Sequence, residues 1–390
     1  MTALDDRLNS AEPAPAPVDP SAAARVIAYY LPQYHPIPEN DAWWGRGFTE
    51  WTNVTKARRR FPGHYQPRLA GELGYYDLRV PEVRAQQAEL AREHGVEAFC
   101  YYHYWFGTSE LLQRPLAEVV ASGQPGLSFC VCWANETWTG IWHGNPRQTL
   151  IEQTYPGDGD HRRHFESLRP AFEDRRYLRV DGKPVFVVYK PNQVPDAARV
   201  CDLWREMAVM AGLGGLHLVG VKNSLEGAPL PPGFDAVVAQ ALPPVARRFR
   251  QAPSPKSLAR SVLRRLGVPT VYRYDRVAPG FVSDVLPDSW YPCMIPNWDN
   301  SARSGADGLV LHGSTPELFG AQVRRTVAAV AGRHPDKRLV FVKSWNEWAE
   351  GNYLEPDQRF GRRYLEALRD EIRPGAAHSR GPSAWPAHGR

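Results

Sequence analysis

The sequence predicts an α/β fold, a single (β/α)₈ TIM barrel with long insertions in the loops that follow its strands. Three observations support this prediction. Eight short apolar runs recur along the 390 residues, helical segments separate them, and no glycine-rich phosphate loop follows the first run. Alternating strands and helices indicate a parallel sheet, and eight strands in a chain longer than ~250 residues favour a closed barrel. The alternative is an open doubly wound sheet, which the LPQYHPIPEN segment after the first run disfavours.

The predicted elements alternate along the whole chain. The predicted strands are 25–31, 96–104, 127–133, 184–190, 216–222, 236–242, 291–296 and 339–345. The clearest predicted helices are 81–94, 110–121, 160–174, 195–211, 315–332 and 360–371. The helix over 81–94 is the best marked, because Pro81 suits a first helical position and Gly95 suits a helix end.

One barrel domain is predicted over residues 25–372, with its two long insertions at 32–80 and 243–290. The first insertion is rich in Pro, Gly, Trp and Arg, so we expect an ordered lid over the mouth of the barrel. Residues 1–24 predict a disordered leader, and residues 373–390 a disordered tail. The leader has no apolar core of signal-peptide type, and no run approaches the ~20 apolar residues that span a bilayer. We therefore expect a cytoplasmic protein.

The composition is that of a globular protein, and it excludes some functional classes. Hydrophobic residues make up 43% of the chain and charged residues 23%. The net charge of +5 is too small to indicate a nucleic-acid partner, and no recognition motif supports one. The five cysteines are odd in number and lie mostly in apolar runs, so we expect reduced core thiols. No cofactor and no metal site are predicted, because no histidine has a second ligand at metal-site spacing.

The second insertion contains a strongly basic stretch. Between Arg247 and Arg265 there are seven basic residues and no acidic one. Its 257–266 part is amphipathic, and basic amphipathic helices lie on anionic membrane surfaces. This pattern predicts peripheral association with the inner membrane face or with a lipid-linked glycan. The alternative is a solvated face without a partner.

Polar and aromatic residues gather where the predicted strands end. In a barrel these ends meet at one face, which carries the active site. Indole and phenol rings beside amides and carboxylates are typical of a sugar-binding groove. The predicted substrate-binding residues are Tyr30, Tyr34, His35, Glu50, His103, Tyr104, Trp105, Trp133, Asn135, Glu136, Trp138, Tyr189, Asn297, Trp298, Asp299, Trp345, Asn346 and Trp348.

The last predicted strand delivers the strongest catalytic candidates. The apolar run at 339–342 ends in SWNEWAEG, where Glu347 and Glu350 lie three residues apart between tryptophans. Glycosidic-bond chemistry needs one carboxyl group to give a proton and another to take one or bear charge. Glu347 and Glu350 are therefore the predicted catalytic residues. The alternative is a polar loop whose glutamates face solvent.

A second pairing is open at this point. Glu136 follows Asn135 at the end of the third strand, and many retaining glycosidases hold their two carboxyl groups about 5–5.5 Å apart on separate strands. Glu136 could form such a pair with Glu347. Binding of sugar hydroxyls is the favoured role for Glu136 and Asn135, since the acid is expected after the fourth strand. Lys343 is predicted to be a charge partner, and His35 and His103 to be hydrogen-bonded histidines.

Four segments resemble a known family. AYYLPQYHPIPENDAWWGRGFTEWTNV, CYYHYWF, CWANETWT and SWNEWAEGNYLEPD resemble the WbsX-like proteins, which are known as glycosyltransferases of bacterial polysaccharide biosynthesis and carry a domain similar to glycoside hydrolase family 99. The resemblance covers roughly residues 25–372. Family 99 enzymes are retaining endo-α-mannosidases on a (β/α)₈ barrel, without a metal in the chemistry.

The resemblance implies a role for each glutamate. Glu347 would be the base toward the sugar 2-hydroxyl, which assists formation of a 1,2-anhydro intermediate. Glu350 would protonate the leaving oxygen and then activate water or an acceptor hydroxyl. After Gly351 the chain continues Asn-Tyr-Leu-Glu instead of the mannosidases' Thr-x-Ile-Glu, which leaves the substrate open.

The function predicted is a carbohydrate-active enzyme that cleaves or transfers glycosidic bonds with retention, in the metabolism of a bacterial surface polysaccharide of O-antigen or capsule type. One alternative is a glycosyltransferase of the WbsX type that uses a nucleotide sugar or a lipid-linked sugar. A nucleotide-binding sheet and an Asp-x-Asp motif are not evident, which disfavours a conventional nucleotide-sugar enzyme. The other alternative is a glycan-binding barrel without catalysis.

Overall fold

The computed structural model describes residues 23–140, 145–224, 229–243, 261–283 and 285–372, with only the backbone described at 145–147. Eight parallel strands form its sheet: β1 (Arg25–Tyr30), β2 (Val96–Trp105), β3 (Ser128–Trp133), β4 (Lys183–Val188), β5 (His217–Lys222), β6 (Ala236–Ala239), β7 (Trp290–Met294) and β8 (Leu339–Val342). Each strand pairs with the next in chain order, and β8 pairs with β1. The predicted closed barrel is confirmed.

The barrel closes around side chains from several strands. Tyr29 of β1 stacks on Tyr102 of β2, with ring centroids 5.4 Å apart, and contacts Phe341 of β8 at 5.5 Å. All five cysteines are buried and free, as predicted. Strands buried on both faces are rich in apolar residues throughout, which is why the sequence pattern identified them as runs and not as alternations.

Apart from the helical residues 261–265, the described residues form ten helices: α1 (Pro38–Trp44), α2 (Glu50–Thr55), α3 (Pro81–Glu93), α4 (Arg114–Ser122), α5 (Asp158–Glu173), α6 (Ala197–Met210), α7 (Tyr274–Val277), α8 (Ser301–Ser304), α9 (Pro316–Val330) and α10 (Arg363–Ile372). The six predicted helices correspond to α3–α6, α9 and α10. Helix α4 starts later than expected, because Glu110–Leu111 pairs antiparallel with Tyr104 and Trp105 and extends β2 into a hairpin. Gly95, at φ 78°, ends α3 as predicted.

The insertion at 32–80 is ordered and packs over the ends of β1, β7 and β8. Trp51 of α2 contacts Tyr34 at 4.7 Å and Trp348 at 5.5 Å between ring centroids. Its indole nitrogen donates to the Tyr76 carbonyl oxygen at 2.8 Å. This aromatic packing holds the insertion against the loop that follows β8, so its residues can belong to the site.

The second insertion is described only in part. Residues 261–265 are helical, and Thr270–Arg273 pairs in parallel with Leu309–His312. Arg264 forms an ion pair with Asp307. Five of the basic residues on which the membrane prediction rests lie outside the described residues: Arg247, Arg248, Arg250, Lys256 and Arg260.

The structure does not test the predicted leader and tail. The leader, apart from Ala23 and Ala24, and the tail from residue 373 onward lie outside the described residues. Across the described ranges, no helix is both long enough and apolar enough to cross a membrane.

Candidate active site

A cavity of about 270 Å³ opens at the carboxyl ends of the barrel strands. Six of the predicted site residues line it: Tyr104, Glu136, Trp138, Tyr189, Glu347 and Glu350. These residues come from the ends of β2, β3, β4 and β8, at the face where a barrel carries its active site. The geometry therefore brings residues that are far apart in sequence to one cavity.

The loop after β8 positions both predicted catalytic carboxylates. Asn346–Glu347 pairs antiparallel with Asn352–Tyr353, and the hairpin between them turns through a 3₁₀ helix at Trp348–Glu350. Side chains three residues apart in a 3₁₀ turn lie above one another, so Glu347 and Glu350 face the same side. Gly351 closes the turn at φ 62°, and a Cβ there would lie 2.8 Å from the Asp299 Cβ. Only glycine fits this position without a shift of the neighbouring loop.

Arg303 of α8 connects three carboxylates in this site. Its Nη1 lies 2.7 Å from Glu350 Oε1 and 3.7 Å from Glu347 Oε2. Its Nε donates to Glu50 Oε1 at 2.8 Å, and Glu50 and Arg303 are both buried. Glu50 thus anchors α2 of the 32–80 insertion to the catalytic loop through Arg303.

Lys343 supplies the second cation. Its Nζ lies 3.9 Å from Glu347 Oε1 and donates to Tyr102 Oη at 3.1 Å. The ring centroids of Tyr189 and Trp298 lie 5.3 and 5.5 Å from the same nitrogen, within cation–π range. Lys343 is therefore a buried charge partner of Glu347, as predicted from the sequence.

The environment separates the proton affinities of the two glutamates. Burial and the adjacent Glu350 charge raise the pKa of Glu347 to about 7. Burial alone would raise the pKa of Glu350 as well, but Arg303 and Lys343 outweigh it and lower this pKa. These shifts give Glu347 the higher proton affinity of the pair, whereas the resemblance implies an acid at Glu350.

Several predicted binding residues are buried beside the cavity and bond to the protein itself. Asn346 accepts from the Leu31 amide at 2.7 Å and donates to the Leu31 carbonyl at 3.1 Å, which ties the catalytic loop to β1. Tyr34 donates to the Asn346 carbonyl oxygen and accepts from the Trp348 amide at 3.3 Å. Trp348 donates to Glu355 Oε2 at 2.6 Å. These three residues hold the shape of the catalytic loop.

Other predicted residues lie on the outer side of β1, β2 and β8. His103 Nε2 lies 2.8 Å from His164 Nε2 of α5, as expected of a hydrogen-bonded histidine. Trp105 donates to Asp160 of the same helix at 3.1 Å, and Tyr30 donates to Gln87 of α3 at 2.7 Å. Trp133 donates to the Trp105 carbonyl oxygen, and Trp345 packs on Phe99. His35 is buried in the loop after β1, and in the described part of the chain neither of its ring nitrogens has a hydrogen-bond partner, contrary to the prediction for this residue.

The loops after β3 and β7 hold the remaining predicted residues. Asn135 accepts from the Lys190 amide at 2.8 Å and donates to the Lys190 carbonyl at 2.9 Å. Asp299 accepts from Gln66 at 2.8 Å, and Asn297 from Arg68 at 3.1 Å. In the ligand-free protein, Asn135, Asn297 and Asp299 fix one loop against another. Direct contact of any of them with a sugar remains a prediction.

The site also contains residues that the sequence analysis did not select. Gln33, Trp44, Tyr102 and Arg303 line the cavity. Arg303 lies three residues after the Asn-Trp-Asp-Asn segment that follows β7. The nearness of this charged residue to a strand end was the only feature of the sequence that could have indicated its role. Among the residues that the structure describes, no group of three or more His, Cys, Asp and Glu side chains could hold a metal ion.

A family model now places the chain among known proteins. The model described as Glycosyltransferase WbsX matches residues 26–368. The chain belongs to the WbsX glycosyltransferase family. This finding confirms the resemblance drawn from the sequence motifs.

Two curated relatives come from Xanthomonas campestris pv. campestris, and each is named uncharacterized protein WxcX. The strain B100 protein is 39% identical over 355 residues, and the strain ATCC 33913 protein is 38% identical over 367 residues. Each match covers 90% of this chain and 50% of the relative. The WbsX chain therefore spans about half the length of the curated relatives it matches.

Solved structures share the barrel. A glycoside hydrolase-like protein aligns with a TM-score of 0.54 at 14% identity, covering 94% of this chain and 98% of its own. A family 99 endo-α-mannosidase from Bacteroides thetaiotaomicron, in complex with bis-tris-propane, aligns with a TM-score of 0.52 at 14% identity, covering 89% and 96%. Likeness at this identity concerns the fold.

Proposed function

We propose that this WbsX-family chain acts on glycosidic bonds, with retention, through Glu347 and Glu350, in the metabolism of a bacterial surface polysaccharide. The observation that carries the proposal is the pair itself: the carboxyl groups of Glu347 and Glu350 face one guanidinium nitrogen, Arg303 Nη1, at 3.7 and 2.7 Å, at a cavity lined by Tyr104, Trp138 and Tyr189. Opposite shifts of two carboxyl pKa values are the pattern by which acid–base sites divide their roles. Aromatic rings at the wall suit the apolar faces of a pyranose.

The proposed reaction needs one proton donor and one base. The base removes the proton of the sugar 2-hydroxyl, and this oxygen attacks C1 and forms a 1,2-anhydro ring. The bond from C1 to the leaving oxygen breaks as the acid gives that oxygen its proton. Water or an acceptor hydroxyl then attacks C1 and loses its proton to the former acid, while the C1–O2 bond of the ring breaks and O2 takes its proton back from the former base. Two inversions at C1 give net retention.

The assignment of acid and base within the pair has a direct test. An acid is dispensable when the leaving group departs unprotonated, whereas the base is required for every substrate. We would compare Glu347→Gln and Glu350→Gln on an oligosaccharide and on an aryl glycoside of the same sugar. If the resemblance holds, the Glu350 variant still releases the aryl leaving group in the first step, whereas the Glu347 variant loses this release from both substrates. The reverse result would make Glu347 the acid, in agreement with its raised pKa.

The charges at the cavity support a neutral sugar. The three glutamates Glu50, Glu347 and Glu350 surround two cations, Arg303 and Lys343, and both cations contact these carboxylates. A diphosphate brought into this cavity would add negative charge beside buried carboxylates, which is costly. We therefore favour an oligosaccharide over a sugar nucleotide at this cavity.

Thermal unfolding of the full chain tests this preference. A ligand at about 100 times its dissociation constant adds roughly 2.7 kcal/mol to the free energy of unfolding. We expect manno- or gluco-oligosaccharides to raise the melting temperature through the cavity, so that Glu350→Gln alters the shift. Stabilisation by a nucleotide sugar that Glu350→Gln also alters would overturn the neutral-sugar proposal and make the chain a sugar-nucleotide transferase, whereas a shift that is the same in Glu350→Gln would place the nucleotide outside the cavity.

Transfer to an acceptor is the second candidate, and the family to which the chain belongs favours it. The same two glutamates serve, with an acceptor hydroxyl in the place of water. Product analysis with and without added acceptor glycans distinguishes the two, since a transferase makes a longer glycan and a hydrolase a free reducing end. A barrel that only binds glycans would bind them without any product, and Glu347→Gln would leave that binding unchanged.

The predicted location and membrane contact remain proposals from sequence. We propose that the chain acts in the cytoplasm and that the basic stretch 247–265 contacts an anionic membrane surface or a lipid-linked glycan. Sedimentation with anionic and with neutral vesicles tests this contact. Equal sedimentation with both kinds of vesicle would contradict it.

A further inference from the structure

A second cavity, of about 540 Å³, lies between the 32–80 insertion and the loop after the catalytic hairpin. Its polar lining consists of Arg59, His64, Tyr65, Gln66, Gln358 and Arg359, and we call it the arginine groove. Among the described residues, no carboxylate lines it. The groove therefore differs in charge from the active-site cavity, which is lined by Glu136, Glu347 and Glu350.

Arg359 is held in the groove by aromatic rings. Its guanidinium lies 4.6 Å from the ring centroid of Tyr65 and 5.0 Å from that of Phe360. Within the described part of the chain, neither Arg359 nor the exposed Arg59 forms an ion pair. Stacking fixes the plane of the Arg359 guanidinium and leaves its edge donors available, which is the arrangement that suits phosphate oxygens.

The acidic groups nearest the groove are turned away from it and satisfied. Asp299 accepts from His64 and from Gln66, both at 2.8 Å. Asp357 accepts from Tyr65 at 2.9 Å and from Tyr353 at 2.8 Å. Both aspartates are buried, so they fix the groove wall without offering the exposed arginines a partner.

The surroundings of the groove carry further positive charge. Arg58 is exposed and precedes Arg59 and Arg60 in the chain. The ring of His312 lies close to this segment, since its centroid is 5.4 Å from that of Phe61. Burial lowers the pKa of His312, and His64 and Arg359 lower it further. Burial disfavours any charge, but the Arg359 charge that adds to this shift would favour an anion in the same place.

We propose that the arginine groove binds the phosphate or diphosphate group of a phosphorylated glycan or of its carrier. Only the glycan part of the ligand rests on the proposed function. The anion site itself consists of Arg59 and Arg359, which have no part in the glutamate chemistry. Tyr65 and Gln66 supply neutral surface beside the two arginines. Two sources fit this chemistry, a soluble nucleoside diphosphate and a lipid-linked phosphate.

Inorganic pyrophosphate is the probe for the site. We would titrate it calorimetrically into the full wild-type chain, into an Arg59→Gln/Arg359→Gln double variant, and into Arg162→Gln as a control. Arg162 is an exposed arginine on α5, between β3 and β4. We expect the double variant to lose affinity by about tenfold or more, because each arginine makes charge-assisted hydrogen bonds, and the control to match wild type. Thermal unfolding of all three chains verifies that they are folded.

Two further arms identify the source of the phosphate. Uridine diphosphate tests a soluble donor, and vesicles of phosphatidylcholine mixed with an equal amount of phosphatidic acid test a lipid phosphate. Loss of either interaction in the double variant assigns the source. Absence of pyrophosphate binding to wild type, or equal binding to the double variant, overturns the proposal. These are binding measurements, so their failure would leave the chemistry of Glu347 and Glu350 untouched, and inactive glutamate variants would leave the groove untouched.

Discussion

The active-site cavity and the arginine groove use charge in opposite ways. At the cavity, Glu50 and Glu347 are buried and Glu350 is partly buried beside Arg303 and Lys343, so that each of these five charges has an opposite charge in contact. In the groove, Arg59 and Arg359 are exposed and no carboxylate of the described chain lines the wall. Buried charges interact strongly and tune proton affinity, whereas exposed ones attract ions from solution and are screened by salt. One site is thus suited to moving a proton and the other to holding an anion.

The largest expected effect concerns the two glutamates of the cavity. We expect Glu347→Gln and Glu350→Gln each to lower kcat/KM on an oligosaccharide by about 10²- to 10⁴-fold, the usual range for an acid or base. Glu136 lines the same cavity but is 45% exposed and pairs with Lys190 at 3.2 Å. We expect Glu136→Gln to cost less than about tenfold, since a hydrogen bond to a sugar contributes less than proton transfer. Equal losses for Glu136→Gln and Glu347→Gln would instead favour the pairing of those two residues.

Removal of Arg303 tests whether the cavity depends on paired charges. Arg303→Gln leaves three buried carboxylates with only Lys343, and breaking a buried ion pair from one side costs about 3–5 kcal/mol. We expect the free energy of unfolding at pH 7 to fall by that amount and to recover in part at acidic pH, where the carboxylates take up protons. Arg163→Gln is the control, since Arg163 is 57% exposed in its pair with Asp160. A loss of about 1 kcal/mol or less in both variants would contradict the charge arrangement described for the cavity.

The raised pKa of Glu347 predicts a dependence of stability on pH. The folded chain holds this proton up to about pH 7, whereas the unfolded chain loses it near 4.5. The contribution of Glu347 to stability is therefore complete at acidic pH and is lost as the pH rises toward and through 7, by at most about 3 kcal/mol. We expect the difference in unfolding free energy between Glu347→Gln and wild type to follow this course. A difference that is flat from pH 4 to pH 8, measured in denaturant titrations, would place the proton elsewhere.

Salt gives the smallest effect and separates the two sites most simply. Pyrophosphate in the exposed groove should bind several-fold more weakly when sodium chloride is raised from about 0.05 to about 0.5 M, because the Debye length shortens. Binding of a neutral oligosaccharide in the cavity should change little over the same range. Calorimetry at both salt concentrations measures the two responses. A strong salt response of the oligosaccharide would indicate an anionic substrate in the cavity.

Much of the fold could be predicted because its signals are local. The eight apolar runs and the caps of α3 are properties of short segments, and the structure has strands and a helix there. Glu347 and Glu350 were also within reach, since a single turn of chain holds both side chains. The sequence analysis missed the hairpin in which Glu110 and Leu111 pair with Trp105 and Tyr104, and it therefore began the helix too early, at residue 110. It had treated Tyr104 and Trp105 only as the end of the second strand.

The assignment of aromatic residues to the cavity was less complete. Trp105 and Trp133 follow the same strand-end pattern as Tyr104 and Trp138, yet they pack against His164 of α5, while Tyr104 and Trp138 line the cavity. Strands of a parallel barrel are buried on both faces, one toward the interior and one toward the helices. Hydrophobicity therefore carries no information about which face a given ring occupies.

The order of apolar runs and helical segments is enough to predict a barrel of alternating strands and helices, and the last run is followed directly by both glutamates. Which charges contact these glutamates depends on the folded chain. Glu50 and Arg303 are separated by 253 residues, and Arg303 and Glu350 by 47, yet one guanidinium contacts both carboxylates. Arg59 and Arg359 are also far apart in the chain, yet they line one groove. The physical reason is that such contacts depend on how the loops of different strands meet after the barrel closes, and no local periodicity records that geometry.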